Sequence, residues 1–322
     1  MKNPLVSIIL PTYNRSSQLP KAILSCLNQT YENIELIVID DGSKDKTKQV
    51  VKKLSKEDSR IYYHKKENGG LPNALNYGFN RAKGEFLTWT SDDNQYRNNA
   101  IETMLNYLNF HPDVGLVNAN MTVIDNEGKK FEKELPGTNI PEENSIGACF
   151  LYRKGVYNKI GNYNEDFSLA EDYDYWIRVW KNFKIGHINK SLYVYSLGND
   201  TMTIRDNWKI QIMTSLLKYS HGFININDVS DFLVDSQGGD IVFGKRTNEI
   251  KRITKTILEN LIAQKTKFTS IGEISFLLTN MIKICSDCLD EEKAEKERLA
   301  EEIIKLENST LHKLNKRLGN FL

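Results

Sequence analysis

The sequence predicts an α/β fold, in which a mostly parallel sheet carries helices on both faces and a mostly helical region follows. Three observations lead to this prediction. Short apolar runs, such as residues 5–10 and 34–39, are typical of strands buried on both faces. Apolar residues between these runs recur at helical spacing, and such alternation indicates a parallel sheet. After about Asn207 strand patterns fade and helical spacing dominates.

Predicted strands and helices alternate from the N-terminus to residue 110. Pro11 is expected to end the first strand, and Pro20 falls in the first turn of a helix, where proline is tolerated. The predicted strands cover residues 5–10, 34–39, 61–63 and 85–90, and the predicted helices carry Leu19, Ile23 and Leu27, then Val50, Val51 and Leu54, then Leu71, Leu75, Phe79 and Ala82, then residues 99–110.

The pattern becomes less regular after residue 110. Residues 120–147 read as an irregular, loop-rich stretch. Strands are predicted at residues 114–119, 148–152 and 192–195, and a helix at residues 172–180. The change near Asn207 predicts two domains, residues 1–205 and residues 206–322.

Composition fits a globular protein and gives no sign of a nucleic-acid partner. The 322 residues include 40% hydrophobic and 26% charged residues, with a net charge of +1. No basic stripe interleaved with aromatics is present, so binding to nucleic acid is not expected. The apolar run at residues 5–10 is too short for a signal peptide or a membrane span. We therefore expect a cytoplasmic protein, with peripheral contact at the inner face of the membrane left open.

The C-terminal region presents a long apolar face. Leu299, Ile303, Leu306, Leu314 and Leu318 recur at roughly heptad spacing. Such a face needs a partner, which could be the chain's own domain, a second copy in a homo-oligomer, or a membrane surface.

Four cysteines are present, and none forms a convincing metal site. Cys26 and Cys149 lie in apolar surroundings and are expected in the core. Cys285 and Cys288 have the spacing of half a metal site, but no second pair or nearby histidine completes it. We expect two thiols on one helix face.

Two of the predicted strands are followed by residues suited to a nucleotide base. Ligands of such sheets bind beyond the carboxyl ends of the strands. In the first of these loops, the ring of Tyr13 could stack on a flat base. After the second strand, Asp41 could accept the N3–H of uracil, a donor that cytosine lacks. The alternative is that Tyr13 is an ordinary loop residue and that Asp40 and Asp41 only shape a turn.

Asp92 and Asp93 follow the fourth predicted strand. Adjacent carboxylates repel each other unless positive charge lies beside them, and a hard divalent cation that bridges a diphosphate would supply it. Magnesium and manganese both favour oxygen ligands. An ordinary Asp-rich loop that includes Asn94 explains the pattern equally well.

Glu171, Asp172 and Asp174 open the predicted helix at residues 172–180. Acidic groups are common in a first turn because they suit the helix dipole. A carboxylate here could also act as a general base, although the same dipole would lower its pKa and weaken it as a base.

The order of six segments is more specific than any one of them. The segments are Pro11-Thr12-Tyr13-Asn14-Arg15, residues 38–43 (VIDDGS), residues 68–76 (NGGLPNALN), residues 83–86 (KGEF), Ser91-Asp92-Asp93 and Glu171-Asp172. This order resembles the family-2 glycosyltransferases of the GT-A fold, in particular the SpsA-like members. The resemblance covers about residues 1–205, so that domain would bind the nucleotide sugar and carry out catalysis.

The resemblance implies a role for each matching position. The nucleotide-binding positions would be Pro11, Thr12, Tyr13, Asp41, Gly70 and Asp92. Asp93 would bind Mn²⁺ or Mg²⁺, and Asp172 would be the catalytic base. The implied reaction is an inverting transfer from a UDP-sugar to a hydroxyl of a glycan, a lipid-linked glycan or a protein, in cell-surface polysaccharide or glycoconjugate synthesis.

The sequence departs from the family pattern at four positions. Thr90 stands where many members carry the first Asp of the metal motif, and Leu75 where an Arg is frequent. Ser196 and Gly198 replace an Arg and a His that often help to hold the diphosphate or the metal. Weak donor affinity would be one consequence.

Two other functions stay open. A sugar nucleotidyltransferase typically has a Gly-rich, basic loop after the first strand, where this chain has residues 11–14 (PTYN). A catalytically degenerate binding or scaffold module would suit Ser196 and Gly198.

Overall fold

A computed structural model of the protein describes residues 3–198, 201–205, 207–225, 228–229, 231 and 255. The chain divides into two units, Met1–Arg205 and Asp206–Leu322. All of the candidate site residues belong to the first unit.

The first unit begins with the predicted alternation of strands and helices. Its elements up to residue 89 are β1 (Val6–Thr12), α1 (Leu19–Leu27), β2 (Ile34–Asp40), α2 (Thr47–Glu57), β3 (Ile61–Lys65), α3 (Leu71–Phe79) and β4 (Phe86–Trp89). Every residue of β1 and β2 is buried, as their near-continuous apolar sequences predict for strands covered on both faces.

The rest of the first unit holds more strand than the sequence pattern indicates. Its elements are β5 (Gln95–Tyr96), α4 (Ala100–Phe110), β6 (Val114–Ile124), β7 (Lys130–Lys133), β8 (Phe150–Arg153), α5 (Lys154–Ile160), a 3₁₀ turn (Glu165–Phe167), α6 (Glu171–Trp180), β9 (Lys184–Ser196) and α7 (Met202–Arg205). The prediction of an irregular stretch from residue 120 was wrong at its start, because β6 continues and pairs with β7. All four residues of β7 are exposed, so no apolar alternation marks that strand.

The described strands form one sheet with the order β3-β2-β1-β4-β8-β6-β9-β5, and β7 pairs with β6. Strands β1 to β4 are parallel to their neighbours in that group. Strand β8 is antiparallel to both β4 and β6, whereas β6 and β9 are parallel. The predicted α/β fold is confirmed, with a parallel first half and a mixed second half.

Pro11 does not end β1, contrary to the prediction. Strand β1 pairs with β2 through Thr12, whereas its pairing with β4 stops at Ile9, opposite Trp89. The carbonyl of Ile9 faces β4, so the nitrogen of Pro11, two residues on, faces that side too. Because the pairing with β4 has already stopped there, the missing N–H of proline costs no bond in the ladder. Thr12 is therefore the last residue of β1 and lies at the carboxyl edge of the sheet.

Helices cover both faces of the sheet. On one face, Ile8 of β1 belongs to the same hydrophobic cluster as Ile23 of α1 and Met104 of α4. On the other face, α3 lies against β1, where a Cβ added at Gly78 would stand 2.5 Å from Cγ2 of Ile9. Glycine at this position permits the close approach of helix and strand.

An aromatic cluster fixes α6 on the second face. The ring of Trp176 packs edge-on against Phe150 of β8, with centroids 4.5 Å apart. Tyr175 stacks on Tyr163 at 4.2 Å. These large buried rings hold the helix that carries Asp172 at a defined place over the sheet.

Cys26 and Cys149 are buried and unpaired, as predicted. Burial raises the pKa of the Cys26 thiol to about 12, so this thiol is unreactive. Cys285, Cys288 and the heptad leucines lie outside the described residues. Within the second unit the structure describes α8 (Asn207–Ser220). Among the helices that the structure describes, none has the length and apolar character needed to cross a bilayer.

Candidate active site

The loops after β1 and β4 are joined at the carboxyl edge of the sheet. Thr12 Oγ1 donates a hydrogen bond of 2.6 Å to Asp92 Oδ2. The backbone N–H of Tyr13 also bonds to Asp92. The backbone N–H of Asp41 donates to the carbonyl of Thr12 at 2.9 Å, which adds the loop after β2 to the same edge. The predicted nucleotide-binding residues of three loops are therefore neighbours.

The turn at Asn14 leaves the ring of Tyr13 accessible. Asn14 has a φ of 54°, a left-handed conformation that asparagine tolerates better than most residues. Its N–H donates to Ser43 Oγ at 2.9 Å, and its Oδ1 accepts from the N–H of Lys44 at 2.8 Å. Tyr13 is 46% exposed at this edge, which suits a ring that receives a planar partner.

Asp40 and Asp41 have different roles despite being adjacent. Asp40 shapes the turn, since it accepts from the N–H of Ser43 at 2.7 Å and from Tyr63 Oη at 2.6 Å. Asp41 instead binds the loop before α3. Its carboxylate accepts from Lys66 Nζ at 2.6 Å.

Two glycine N–H groups complete the set of donors to Asp41. Gly69 donates at 3.0 Å to Oδ1, and Gly70 donates at 2.8 Å to Oδ2. The N–H of Gly69 also reaches Oδ2 at 3.2 Å, so both oxygens of Asp41 accept hydrogen bonds from this loop. Gly70 has a φ of 84°, which favours glycine, and the space beside its Cα is open.

Burial and the adjacent charge of Asp93 raise the pKa of the Asp92 carboxyl to about 6, against the opposing effect of the bond from Thr12. Burial raises the pKa of the phenols of Tyr193 and Tyr195, and the charge of Asp93 adds to both increases. Thr90, the departure from the family pattern, is buried and bonded to Tyr193 Oη at 2.6 Å.

Asp172 lies in the first turn of α6 and has two hydrogen-bond donors. Asn144 Nδ2 donates to Oδ2 at 2.8 Å, and the N–H of Tyr173 donates to Oδ1 at 2.7 Å. Burial raises the pKa of the Asp172 carboxyl. The expected lowering of this pKa by the helix dipole was wrong in its net direction, because the loss of solvation is the larger effect.

Glu171 is buried beside Asp172 and is itself perturbed. Its Oε2 accepts from the N–H of Leu169 at 2.7 Å, and Leu169 has the left-handed φ of 78°. Burial and the charge of Asp172 raise the pKa of the Glu171 carboxyl. A non-glycine residue in this backbone conformation is strained, and such strain is common at functional sites.

Tyr195 of β9 is affected by carboxylates from two separate segments, the loop after β4 and the first turn of α6. Burial raises the pKa of its phenol, and the charges of Asp93 and Asp172 add to this increase, so the ring is within electrostatic range of both carboxylates. Tyr195 Oη is 2.7 Å from Thr203 Oγ1. From the sequence, Tyr195 is predicted only as a strand residue, because an aromatic residue in a strand carries no sign of what it faces.

The loop that precedes α6 is tied to α3. Asn76 and Tyr163 exchange two bonds, from Asn76 Nδ2 to the carbonyl and from the backbone N–H to Asn76 Oδ1, at 2.9 and 2.8 Å. Glu165 accepts from Asn73 Nδ2 at 3.1 Å. These bonds join the Gly69-Gly70 loop, through α3, to the segment that leads to Asp172. Residues 68–76 carry these asparagines, but sequence alone did not indicate their partners.

The side chains at this edge of the sheet could bind a divalent cation only if a substrate supplied further ligands to the same ion. Among the described residues, no group of three or more His, Cys, Asp or Glu side chains is arranged to hold a metal ion. Asp92 and Asp93 nevertheless supply two adjacent carboxyl groups, and the charge of Asp93 adds to the effect of burial in raising the pKa of Asp92. Magnesium is commonly held by one or two carboxylates together with substrate phosphates.

Comparison with known proteins gives a consistent family assignment. The model of the family described as "Glycosyl transferase family 2" matches residues 7–170. A Campylobacter jejuni protein, GalNAc(5)-diNAcBac-PP-undecaprenol beta-1,3-glucosyltransferase, is 32% identical over 215 residues, which cover 62% of this chain and 68% of that protein. Uncharacterised glycosyltransferases of five Rickettsia species are 34–40% identical, but the matched part spans only 28–59% of their length.

Two solved structures share the fold. Residues 1–349 of Staphylococcus aureus TarS, in complex with UDP-GlcNAc, match with a TM-score of 0.58 and 18% identity over 88% of each chain. The mannosyltransferase PcManGT from Pyrobaculum calidifontis, in complex with GDP-Man and Mn²⁺, matches with a TM-score of 0.54 and 13% identity, over 91% of this chain and 89% of that chain. At these identities the likeness concerns the fold alone, which is that of the GT-A glycosyltransferases.

Proposed function

Because the chain belongs to glycosyl transferase family 2, we propose that it transfers a sugar from a UDP-sugar to an acceptor hydroxyl with inversion. The observation that supports the proposal is the bond between Thr12 and Asp92, which brings the loop that carries Tyr13 beside the loop that carries Asp92 and Asp93, together with the burial of Asp172 in the first turn of α6. One bound donor would then contact Tyr13 through its nucleotide base and the Asp92–Asp93 pair through its ribose and diphosphate. Asp172 would be the catalytic base for the acceptor.

The nucleotide would be read by the loops after β1 and β2. The accessible ring of Tyr13 would stack on the base. Asp41, whose carboxylate is held by Lys66 and Gly70, would accept the uracil N3–H. Asp92 would face the ribose, and the open space beside Gly70 would admit the donor. That TarS binds UDP-GlcNAc supports a uridine nucleotide, whereas PcManGT shows that the same fold also accommodates GDP-Man.

The acceptor proton would pass to Asp172. As the acceptor oxygen attacks the anomeric carbon from the face opposite the nucleotide, the bond between that carbon and the diphosphate oxygen breaks, and Asp172 takes the hydroxyl proton. Burial raises the pKa of this carboxyl, which makes it a better base than an exposed aspartate. A cation bound by Asp93 and the donor would offset the negative charge that builds up on the leaving diphosphate.

The name of one relative suggests the class of acceptor. The Campylobacter relative is named for glucosyl transfer to an undecaprenol-linked glycan. We propose a glycan or lipid-linked glycan acceptor, in cell-surface polysaccharide or glycoconjugate synthesis.

The proposal is tested by measuring the release of UDP from UDP-glucose, UDP-galactose and their N-acetyl forms. Each donor is assayed with Mn²⁺, with Mg²⁺ and with chelator. Asp172→Asn should keep UDP binding and lose roughly two or more orders of magnitude in turnover. Asp166→Asn, an exposed aspartate six residues upstream, is the matched control. Transfer by Asp172→Asn at the native rate would show that the base is assigned wrongly. No UDP release and no metal-dependent UDP binding would favour a binding module, and pyrophosphate release from UTP would favour a nucleotidyltransferase.

A further inference from the structure

The loop formed by residues 134–147, here called the clamp loop, is bonded to the first turn of α6 at two points. Asn144 Nδ2 donates to Asp172 Oδ2 at 2.8 Å. Tyr173 Oη donates to the carbonyl of Ile140 at 2.6 Å. The loop that the sequence pattern could not interpret therefore contacts the proposed base directly.

The clamp loop is fixed by hydrogen bonds to side chains of β6. Asn118, which is fully buried, donates through Nδ2 to the carbonyls of Leu135, Ser145 and Ile146. Asn120 Oδ1 accepts from the N–H of Leu135 at 3.2 Å. Since Ser145 and Ile146 directly follow Asn144, the backbone at Asn144 has little freedom, and its side chain is presented to Asp172 from a rigid support.

The amide of Asn144 is used in an unusual way. Its Nδ2 bonds to Asp172, while its Oδ1 is buried without a hydrogen-bond partner among the described residues. An unsatisfied buried acceptor costs stability, and in native proteins such groups often have a functional explanation. The bond to Asp172 is thus what orients this side chain.

We propose that Asn144 is a positioning residue for the base, which orients the Asp172 carboxylate and favours its ionised form. This inference rests on the proposed function, in which Asp172 is the base. With the N–H of Tyr173 on Oδ1 and Asn144 on Oδ2, both oxygens are held, and the rotation of the carboxylate is restricted. Asn144 itself does not contact the reacting atoms in this scheme.

The groups around Asp172 explain why such a donor is needed. Among the described residues with a shifted pKa, those affected by the charge of Asp172 are Glu171, Tyr163 and Tyr195, and none of these three supplies positive charge. Burial raises the pKa of Asp172, and the bond from Asn144 is the largest of the effects that lower it. Without Asn144 the carboxyl would hold its proton to higher pH, so under mildly acidic conditions a smaller fraction of Asp172 would be ionised and able to accept a proton.

The experiment compares Asn144→Ala and Asn144→Asp with two controls in the full chain. Asn139→Ala removes a side-chain bond to Glu142 in the same loop without touching Asp172. Tyr173→Phe removes the second tie between the clamp loop and α6 but leaves Asn144 in place. The protonation of Asp172 is followed by NMR of carboxyl ¹³C-labelled aspartate, with its resonance identified by its absence in Asp172→Asn. Turnover of UDP-GlcNAc with Mn²⁺ is measured over the same pH range.

We expect the titration midpoint of Asp172 to move to higher pH in Asn144→Ala and further in Asn144→Asp, which adds a like charge. Turnover should fall about tenfold at mildly acidic pH and recover at alkaline pH, with little change in the KM for the donor. Both controls should keep the native midpoint. If Asn144→Ala does not fold, Asn144→Leu, which is close in size and cannot donate a hydrogen bond, provides the same test.

An unchanged midpoint in the Asn144 variant that cannot donate would overturn the inference, and so would equal shifts in Tyr173→Phe, which would indicate a general loosening of the loop. The two proposals fail differently. If Asp172→Asn is inactive while Asn144→Ala keeps the native pH profile, only the inference is wrong. If Asp172→Asn is fully active, the base assignment fails first.

Discussion

Thr12 Oγ1 donates a hydrogen bond of 2.6 Å to Asp92 Oδ2, and these two residues are 80 positions apart in the sequence. The bond joins the end of β1 to the loop after β4, so it fixes one side of the proposed nucleotide site. It also stabilises the ionised form of a carboxyl whose pKa burial raises to about 6. Five predictions follow from relationships of this kind.

Thr12→Val should weaken UDP binding about tenfold, because loss of a hydrogen bond to a charged group costs about 1.5–3 kcal/mol. Valine keeps the shape of the side chain but cannot donate to Asp92. Calorimetric titration with UDP measures the effect. Thr30→Val is a matched control, since Thr30 Oγ1 donates to Glu102 Oε2 at the same 2.6 Å on an exposed surface. Equal affinity for both variants would contradict the role of Thr12.

Tyr13→Ala should weaken UDP binding about tenfold, whereas Tyr13→Phe should stay near the native affinity, because stacking of a base on an aromatic ring is worth about 1–3 kcal/mol. Tyr62→Ala serves as the control, because Tyr62 is 44% exposed, nearly as much as Tyr13 at 46%. Binding by fluorescence or calorimetry distinguishes the three variants. If the phenylalanine variant lost as much affinity as the alanine variant, the hydroxyl rather than the ring would matter.

Asp41→Asn should destabilise the fold by about 3 kcal/mol, because it leaves the buried ammonium of Lys66 without its partner. The pair is 2.6 Å apart, with side chains only 14% and 6% exposed. In a Lys66→Met background the same substitution should cost clearly less, since no charge is then stranded. Chemical denaturation of the two single variants and the double variant gives the interaction free energy between Asp41 and Lys66. Strict additivity would show that the pair does not act as a unit.

Asp93→Asn should abolish the dependence of UDP binding on Mn²⁺. In the native protein we expect Mn²⁺ to strengthen UDP binding by about tenfold or more, because the cation would bridge a carboxylate and the diphosphate. Titration with UDP in Mn²⁺ and in chelator measures both values. Asp113→Asn, which removes an exposed aspartate paired with Lys184, should behave like the native protein. A native protein indifferent to Mn²⁺ would rule out the metal role of Asp93.

Glu171→Gln should stabilise the protein at alkaline pH. Burial and the charge of Asp172 raise the pKa of the Glu171 carboxyl to about 8, from a usual value of 4.5. An unfolded chain releases this proton at lower pH than the folded chain does, so the native protein loses stability as the pH rises from about 4.5 to 8. Glutamine does not titrate, and it keeps an oxygen to accept from the N–H of Leu169.

The gain for Glu171→Gln should reach several kcal/mol above the folded pKa, because each unit of pKa shift is worth about 1.36 kcal/mol, and it should vanish in acid. Thermal unfolding across this pH range measures it. A constant difference between the two proteins at every pH would contradict the titration of Glu171.

The elements that the sequence predicted best are those whose burial is complete. Strands β1 and β2 have no exposed residue, so their apolar runs were unbroken and easily recognised. Strand β9 was predicted over only four residues, whereas it runs from Lys184 to Ser196, because charged and polar residues interrupt its first half. The position of Tyr13, Asp41 and Asp93 after strands followed from the same local pattern, and the order of the motifs indicated the family that the comparison confirmed.

The sequence by itself determined the class of fold, the family and which loops follow the strands, because those depend on periodicity and on short motifs. Only the tertiary structure decided how the candidate side chains are held. Pro11 continues β1 because the pairing with β4 stops before it, Asp41 is bound by Lys66 and Gly70, and Asp172 is held by Asn144. Burial also raises the pKa of Asp172 although the helix dipole opposes it. Contacts between distant residues and the loss of solvation arise only when the chain has folded, so no local pattern could have shown them.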